Sequence, residues 1–226
     1  MSWLQFPDGL RLNPDAKGSP EALVVLLADA GTTAETLVPI AQRWAAAVPT
    51  TAFVALEALD PVAASSCGPS DRDSDPALFD RATQHLEPLL EQELRFHHLD
   101  ASRLVLVGFR YGGTLALHLV LHQGWSCAGV LAFTARLVRP LPPILRIGRK
   151  IRLIESVPTG PIARNHLCDL VAQLTTRGID ARGILLSGSA LSDEAIRHGG
   201  AYLVELVATA QRGDHLHVNR ESSHAQ

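Results

Sequence analysis

The chain has 226 residues, enough for one substantial domain built around a single core. Hydrophobic residues make up 46% and charged residues 19%, an ordinary globular mix, and a net charge of -3 with no dense Lys/Arg run argues against nucleic acid as a partner. Three scattered cysteines, Cys67, Cys127 and Cys168, suit a reducing compartment better than a disulfide framework, and no apolar run approaches the length of a membrane span. The opening MSWLQFPDGLRLNP lacks the basic and apolar regions of a signal peptide, so the expectation is a cytoplasmic protein.

Short apolar runs alternate with helical patterns along the chain. LVVLLAD (23–29) is a continuous branched-apolar run, as expected of a strand buried on both faces. A helix follows over 33–48, with Pro39 tolerable in its first turn, and then a strand over 51–58. Residues 59–75 are rich in Pro, Ser, Asp and Gly and read as a long loop. An amphipathic helix is predicted over 76–98, with Pro88 as a candidate kink. The strand RLVLVGF (103–109) leads into a helix over 113–123, and CAGVLAFTA (127–135) is the next strand. A Pro-rich connection covers 136–150; its Leu141, Ile144 and Leu145 look exposed, which suits a contact surface or a lid. Then come a strand (151–156), a helix (161–178) stopped by Gly178, a strand (181–188) and a closing helix (192–210) with Ser192 as N-cap. Residues 1–210 thus form one domain, and 211–226 read as a disordered tail. Six or more strands in β-α alternation predict a mostly parallel, doubly wound sheet with helices on both faces. Ligands in such sheets bind beyond the carboxyl ends of the strands.

The stretch LVLVGFRYGGTLALH (104–118) has the strand-turn-helix shape of a nucleophile elbow, G-x-S-x-G, with Arg110 where the serine would stand. LVVLLADAG, SRLVLVGFRYGGTLALH, AGVLAFTARL, the stretch from IRLIES to TTRGIDA and SGSALSDEAIRHGGAYL follow one another in order at matching spacing. On these segments the chain resembles the phospholipase/carboxylesterase family of α/β-hydrolases, which includes the acyl-protein thioesterases, over roughly residues 20 to 208. The resemblance implies a three-layer α/β-hydrolase-like sandwich. It also places the family's catalytic positions. The nucleophile falls on Arg110, the orienting acid on or beside Thr159, the base on Ser189, and the His-Gly of the oxyanion loop on Ala28-Asp29. A guanidinium offers no nucleophilic lone pair, and a carboxylate repels the oxyanion that such a loop must stabilise. A triad needs a nucleophile, a base and an orienting group, and none of the three matched residues fills its role.

The expectation is therefore a catalytically degenerate homologue that binds a small carboxylate, phosphate or acyl ligand, or a protein partner, with no metal and no cofactor. Asp29, Ala30, Arg110, Tyr111 and Glu155 form the candidate binding set. An ion pair between Arg110 and Asp29 should fill the emptied site, with Glu155 as the second carboxylate in reach; a buried pair of this kind would cost about 3–5 kcal/mol to break. The alternative is an active ester or thioester hydrolase working through an unassigned serine, drawn from Ser187, Ser189 and Ser192 or from Ser65, Ser66 and Ser70. His118 and His122, four residues apart, share a helix face but lack a third metal ligand.

Overall fold

The computed structural model describes residues 3–6, 9–14, 18–57, 75–143, 149–157, 161–189 and 191–212. An eight-stranded sheet runs through the middle of the molecule. In chain order its strands are β1 (Trp3–Phe6), β2 (Gly9–Leu12), β3 (Ala22–Leu27), β4 (Thr51–Leu56), β5 (Leu104–Phe109), β6 (Gly129–Phe133), β7 (Lys150–Val157) and β8 (Asp180–Ser187). Their spatial order is β1-β2-β4-β3-β5-β6-β7-β8; β2 pairs antiparallel with both β1 and β4, and every later pair is parallel. The helices are α1 (Val38–Ala45), α2 (Pro76–His97), α3 (Tyr111–Leu121), α4 (Pro161–Thr176) and α5 (Asp193–Arg212).

The six strands expected from the apolar runs are present. The N-terminal hairpin β1-β2 was not anticipated from the sequence. Its strands are four residues long and lie at the sheet edge, with a mixed burial pattern that lacks the signal of a two-sided core strand. Arg11 anchors the hairpin: its guanidinium forks onto the buried carboxylate of Glu93 on α2, and it lies over the Phe6 and Phe96 rings. Pro39 does fall in the first turn of α1, where its missing N–H costs nothing. Helix α2 runs through Pro88 as one element, and Asp75 caps it by accepting the Ala77 N–H. The Ser192 hydroxyl accepts the Ala195 N–H at the start of α5, as its N-cap assignment requires.

Two apolar layers sandwich the sheet. Leu23, Val25 and Leu27 of β3 face the side covered by α2, α3 and α4, where Leu86, Leu90, Leu115, Leu119 and Leu170 pack. Val24 and Leu26 face the side covered by α1 and α5, with Ile40, Trp44, Leu203 and Leu206. This explains why β3, β4 and β5 read as unbroken apolar runs: successive side chains point to opposite faces, and both faces are covered. The expectation that Leu141 is exposed fails; it is buried in the first of these layers, so this part of the connection packs against the body. Ile144, Leu145, the 59–74 part of the long loop and residues 213–226 of the tail lie outside the described residues.

The turn between β5 and α3 depends on close backbone approach. A Cβ at Gly108 would lie 2.3 Å from the Gly112 carbonyl, and one at Gly112 would lie 2.4 Å from Leu27 O and 2.6 Å from Ala28 O. Backbone cannot yield as a flexible side chain can. Gly112→Ala should therefore destabilise the protein by about 3 kcal/mol and lower Tm by roughly 5–10 °C, measured by thermal unfolding.

Candidate functional site

The register of β3 and β5 builds the site. Leu27 pairs with Gly108, so the chain two residues beyond each delivers Asp29 and Arg110 to the same place at the carboxyl edge of the sheet. Arg110 sits at the strained tip of the elbow, with φ 50° and ψ -105°, and its N–H donates to Phe133 O at 2.8 Å, tying the tip to β6. The first helical bond of α3 runs from the Thr114 N–H to Arg110 O at 2.9 Å. Strand, strained turn and glycine-tight helix start are all those of a nucleophile elbow.

The expected ion pair is present: Arg110 Nε lies 2.9 Å from Asp29 Oδ2. The other carboxylate oxygen has a second role. Asp29 Oδ1 accepts the Ala30 N–H at 2.9 Å and the Tyr111 N–H at 3.2 Å. In an α/β-hydrolase elbow, the N–H after the nucleophile and one from the loop after this strand form the oxyanion hole. Both corresponding donors are aimed at one point here, and the protein's own carboxylate occupies that point. Asp29 is fixed in turn by its main chain, whose carbonyl accepts both the N–H (3.1 Å) and the hydroxyl (2.7 Å) of Thr32.

The pair is not the buried one that a magnitude of about 3–5 kcal/mol presumes. The Arg110 side chain is 62% exposed and that of Asp29 29%. Water screens such a pair, and its coupling belongs to the range of about 0–1 kcal/mol. The elbow tip projects over the sheet edge instead of into it, so solvent reaches the guanidinium.

Glu155 is not part of this cluster. It sits near the end of β7 with its side chain only 3% exposed, and Arg136 reaches it with Nη1 at 3.3 Å from Oε2. Burial pushes the Glu155 carboxyl above its ordinary value, against the opposing pull of Arg136. The same Arg136 Nη1 donates to His166 Nδ1 at 2.7 Å, a contact that requires the unprotonated face of the imidazole. Ser189 is exposed, and its hydroxyl accepts the Leu191 N–H at 3.3 Å, a turn contact with no imidazole in it. Thr159, Cys67, Ser65, Ser66 and Ser70 lie outside the described residues. Among the described residues the buried Ser156 hydroxyl has no hydrogen-bond partner, histidine included.

His118 and His122 do share a face of α3, with rings stacked 4.9 Å apart. Among the described residues no group of three His, Cys, Asp or Glu side chains is placed to hold a metal. His118 Nε2 instead lies 2.8 Å from Asp80 Oδ1 of α2, which also takes the Gln123 amide at 2.7 Å and the Arg139 guanidinium. Neither this cluster nor the Arg136–Glu155–His166 cluster was legible from spacing. Each draws residues from three separate elements, and only the helix positions of His118 and His122 gave a local signal. The Cys127 thiol is pushed up to about 12 by burial, which makes it inert.

The parallel sheet order, the glycine-tight elbow after β5 and the paired N–H donors define an α/β-hydrolase fold with the framework of its active site. Residues 15–143 match the phospholipase/carboxylesterase family, and the chain belongs to that family. Among solved structures it is similar to the esterase PE8, at 23% identity and TM-score 0.71, over 88% of this chain and 98% of that one. A carboxylesterase from Mesorhizobium loti aligns at 16% identity and TM-score 0.72, over 89% and 98% of the two chains. A structure of YahD with malic acid aligns at 18% identity and TM-score 0.65, over 88% and 99%. No curated protein matches the sequence.

A double-mutant cycle on Asp29→Ala and Arg110→Ala, read by denaturant unfolding, should return a coupling of about 1 kcal/mol or less. Asp29→Ala alone should cost more than Arg110→Ala, by about 1 kcal/mol, because it also strips the acceptor from the Ala30 and Tyr111 N–H groups.

Proposed function

We propose that this member of the family is a non-hydrolytic binding module, and that its elbow serves as a polar surface instead of a catalytic centre. The observation that carries the reading is the Asp29 carboxylate held by the Ala30 and Tyr111 N–H groups. Acyl-ester hydrolysis needs those donors for a tetrahedral oxyanion, and removing even one such donor typically costs about 10²–10³ in kcat. Here both are engaged by a fixed negative charge, which would also repel the developing one. Arg110 at the tip cannot attack a carbonyl, and the Ser189 hydroxyl at the base position accepts the Leu191 N–H of a turn.

Two kinds of partner fit such a site. A small carboxylate or phosphate would have to displace Asp29 from the N–H pair and from Arg110. A protein surface has no such requirement: it meets an Arg110–Asp29 pair that is already neutralised, with the guanidinium largely exposed. The closed donor pair favours the protein partner. The small acidic ligand is the second reading, supported by the helix N-terminus and the cation that remain at the elbow.

The test is a chromogenic short-chain ester together with a fluorophosphonate probe for activated serines. Turnover should stay at background, no serine should label, and Arg110→Ser should not restore activity. Robust hydrolysis that disappears on replacing Ser156, Ser187, Ser189 or Ser192 would overturn the proposal. Asp29→Ala should strengthen binding of phosphate or acetate by about tenfold or more, read by calorimetry, since it frees two N–H donors and one guanidinium.

A further inference from the structure

The chain leaves β6 through Thr134, which takes φ 49°, an uncommon conformation for a β-branched residue. From there residues 136–141 cross over the helices as a strap with four attachments. The Arg136 N–H donates to Thr114 Oγ1 of α3 at 3.0 Å, and its guanidinium holds Glu155 and His166. Arg139 reaches Asp80, with Nη2 3.0 Å from His118 Nε2. Pro140 O lies 3.2 Å from His122 Nε2, and Leu141 is buried beneath. Arg139 and Pro140 form a wall common to two cavities. One, of about 510 Å³, is bounded by Leu137, Val138, His166, Asp169, Leu170 and Gln173. The other, of about 480 Å³, is bounded by Asp80, Gln84, His122, Gln123 and Pro142.

Three of these attachments involve a histidine: His166 with Arg136, His118 with Arg139 and His122 with Pro140. His166 Nδ1 accepts from Arg136, and a proton there would set two donors against each other at 2.7 Å. Among the described residues the buried Nδ1 atoms of His118 and His122 have no hydrogen-bond partner. Protonating either would place an N–H and a positive charge where no described residue accepts them, beside Arg139. The carboxylates beside these rings are Asp80 of α2 and Asp169 of α4, and Glu155 of β7 meets the Arg136 that contacts His166. Asp80 Oδ1 is shared among three donors, and Glu155 is already paired with Arg136.

We propose that residues 136–141 are a proton-released strap, docked while His118, His122 and His166 are neutral and freed when they are protonated, which removes the wall between the two grooves it separates. The direction of the linkage agrees. Burial is the largest cause holding all three histidines below their ordinary 6.5. The docked strap then binds fewer protons than the released one. Docking is strongest above pH 6.5 and weakens as pH falls from 6.5 through the lowered values. Asp80 remains an anion across that window: burial raises its carboxyl, but the bonds from His118 and Arg139 outweigh it and hold it below its ordinary 3.8.

The experiment is native-state hydrogen exchange of the full chain at pH 7.5 and 5.5, corrected for intrinsic exchange rates. The Arg136 amide, which donates to Thr114 Oγ1, should lose protection by about tenfold or more at the lower pH, while the amides of β3 and β5 keep theirs. A variant carrying His122→Gln and His166→Gln, which cannot take up those protons, should show a smaller difference between the two pH values. Equal protection of the strap at both pH values would overturn the proposal. So would joint loss in strap and strands, which is global acid unfolding, or an undiminished pH response in the double variant.

Discussion

Everything at the site follows from one pairing: Leu27 of β3 opposite Gly108 of β5. Parallel strands in this register carry Asp29 and Arg110 to the same edge, and the absence of a Cβ at Gly108 and Gly112 lets α3 begin against the end of β3. The N–H of Tyr111 and the N–H of Ala30 then converge. In a sheet of this type that convergence is a site for negative charge, because the free N–H groups of a helix start are unsatisfied and its dipole is positive there. The framework remains intact, and what differs is the source of the charge it holds.

A tethered carboxylate changes the energetics of that framework in two ways. It satisfies donors that would otherwise be left to solvent, which helps the fold, and it competes with any external anion at the high local concentration that attachment provides. The Arg110 guanidinium adds a modest further hold on Asp29, limited by its exposure. The site is therefore neutralised from within, and its guanidinium remains exposed.

The strap from 136 to 141 lies on a different part of the molecule but obeys related physics. Of its apolar residues Leu141 is buried, while Leu137 and Val138 pack half-buried against the same core. What secures it otherwise is polar: two arginines, each engaged with a carboxylate and a histidine. Polar attachments of this type depend on protonation state in a way that apolar packing does not. In the sequence the Pro-rich connection looked exposed, as a contact surface or a lid, because Pro and scattered leucines carry no period, and burial of Leu141 is decided by what lies beneath it.

The sequence by itself determined the alternation of strands and helices, the parallel sheet and the elbow. Each is written in local signals: unbroken apolar runs where both faces are covered, glycines where backbones touch, and arginine at the position of the tip. It also indicated Asp29 as the partner of Arg110, since the loop after the first long strand lies beside the elbow in any sheet of this order. The tertiary structure alone decided that the pair is exposed, that Asp29 Oδ1 occupies the paired N–H groups, and that Glu155 belongs to Arg136 instead of Arg110. It alone brought Asp80, His118 and Arg139 together from α2, α3 and the strap, and placed the short β1-β2 hairpin on the sheet edge. The physical reason is range. Strands and turns are set by neighbours a few residues away, whereas exposure, hydrogen-bond partners and charge clusters depend on side chains that only the packing of distant elements brings within 3 Å or so of one another.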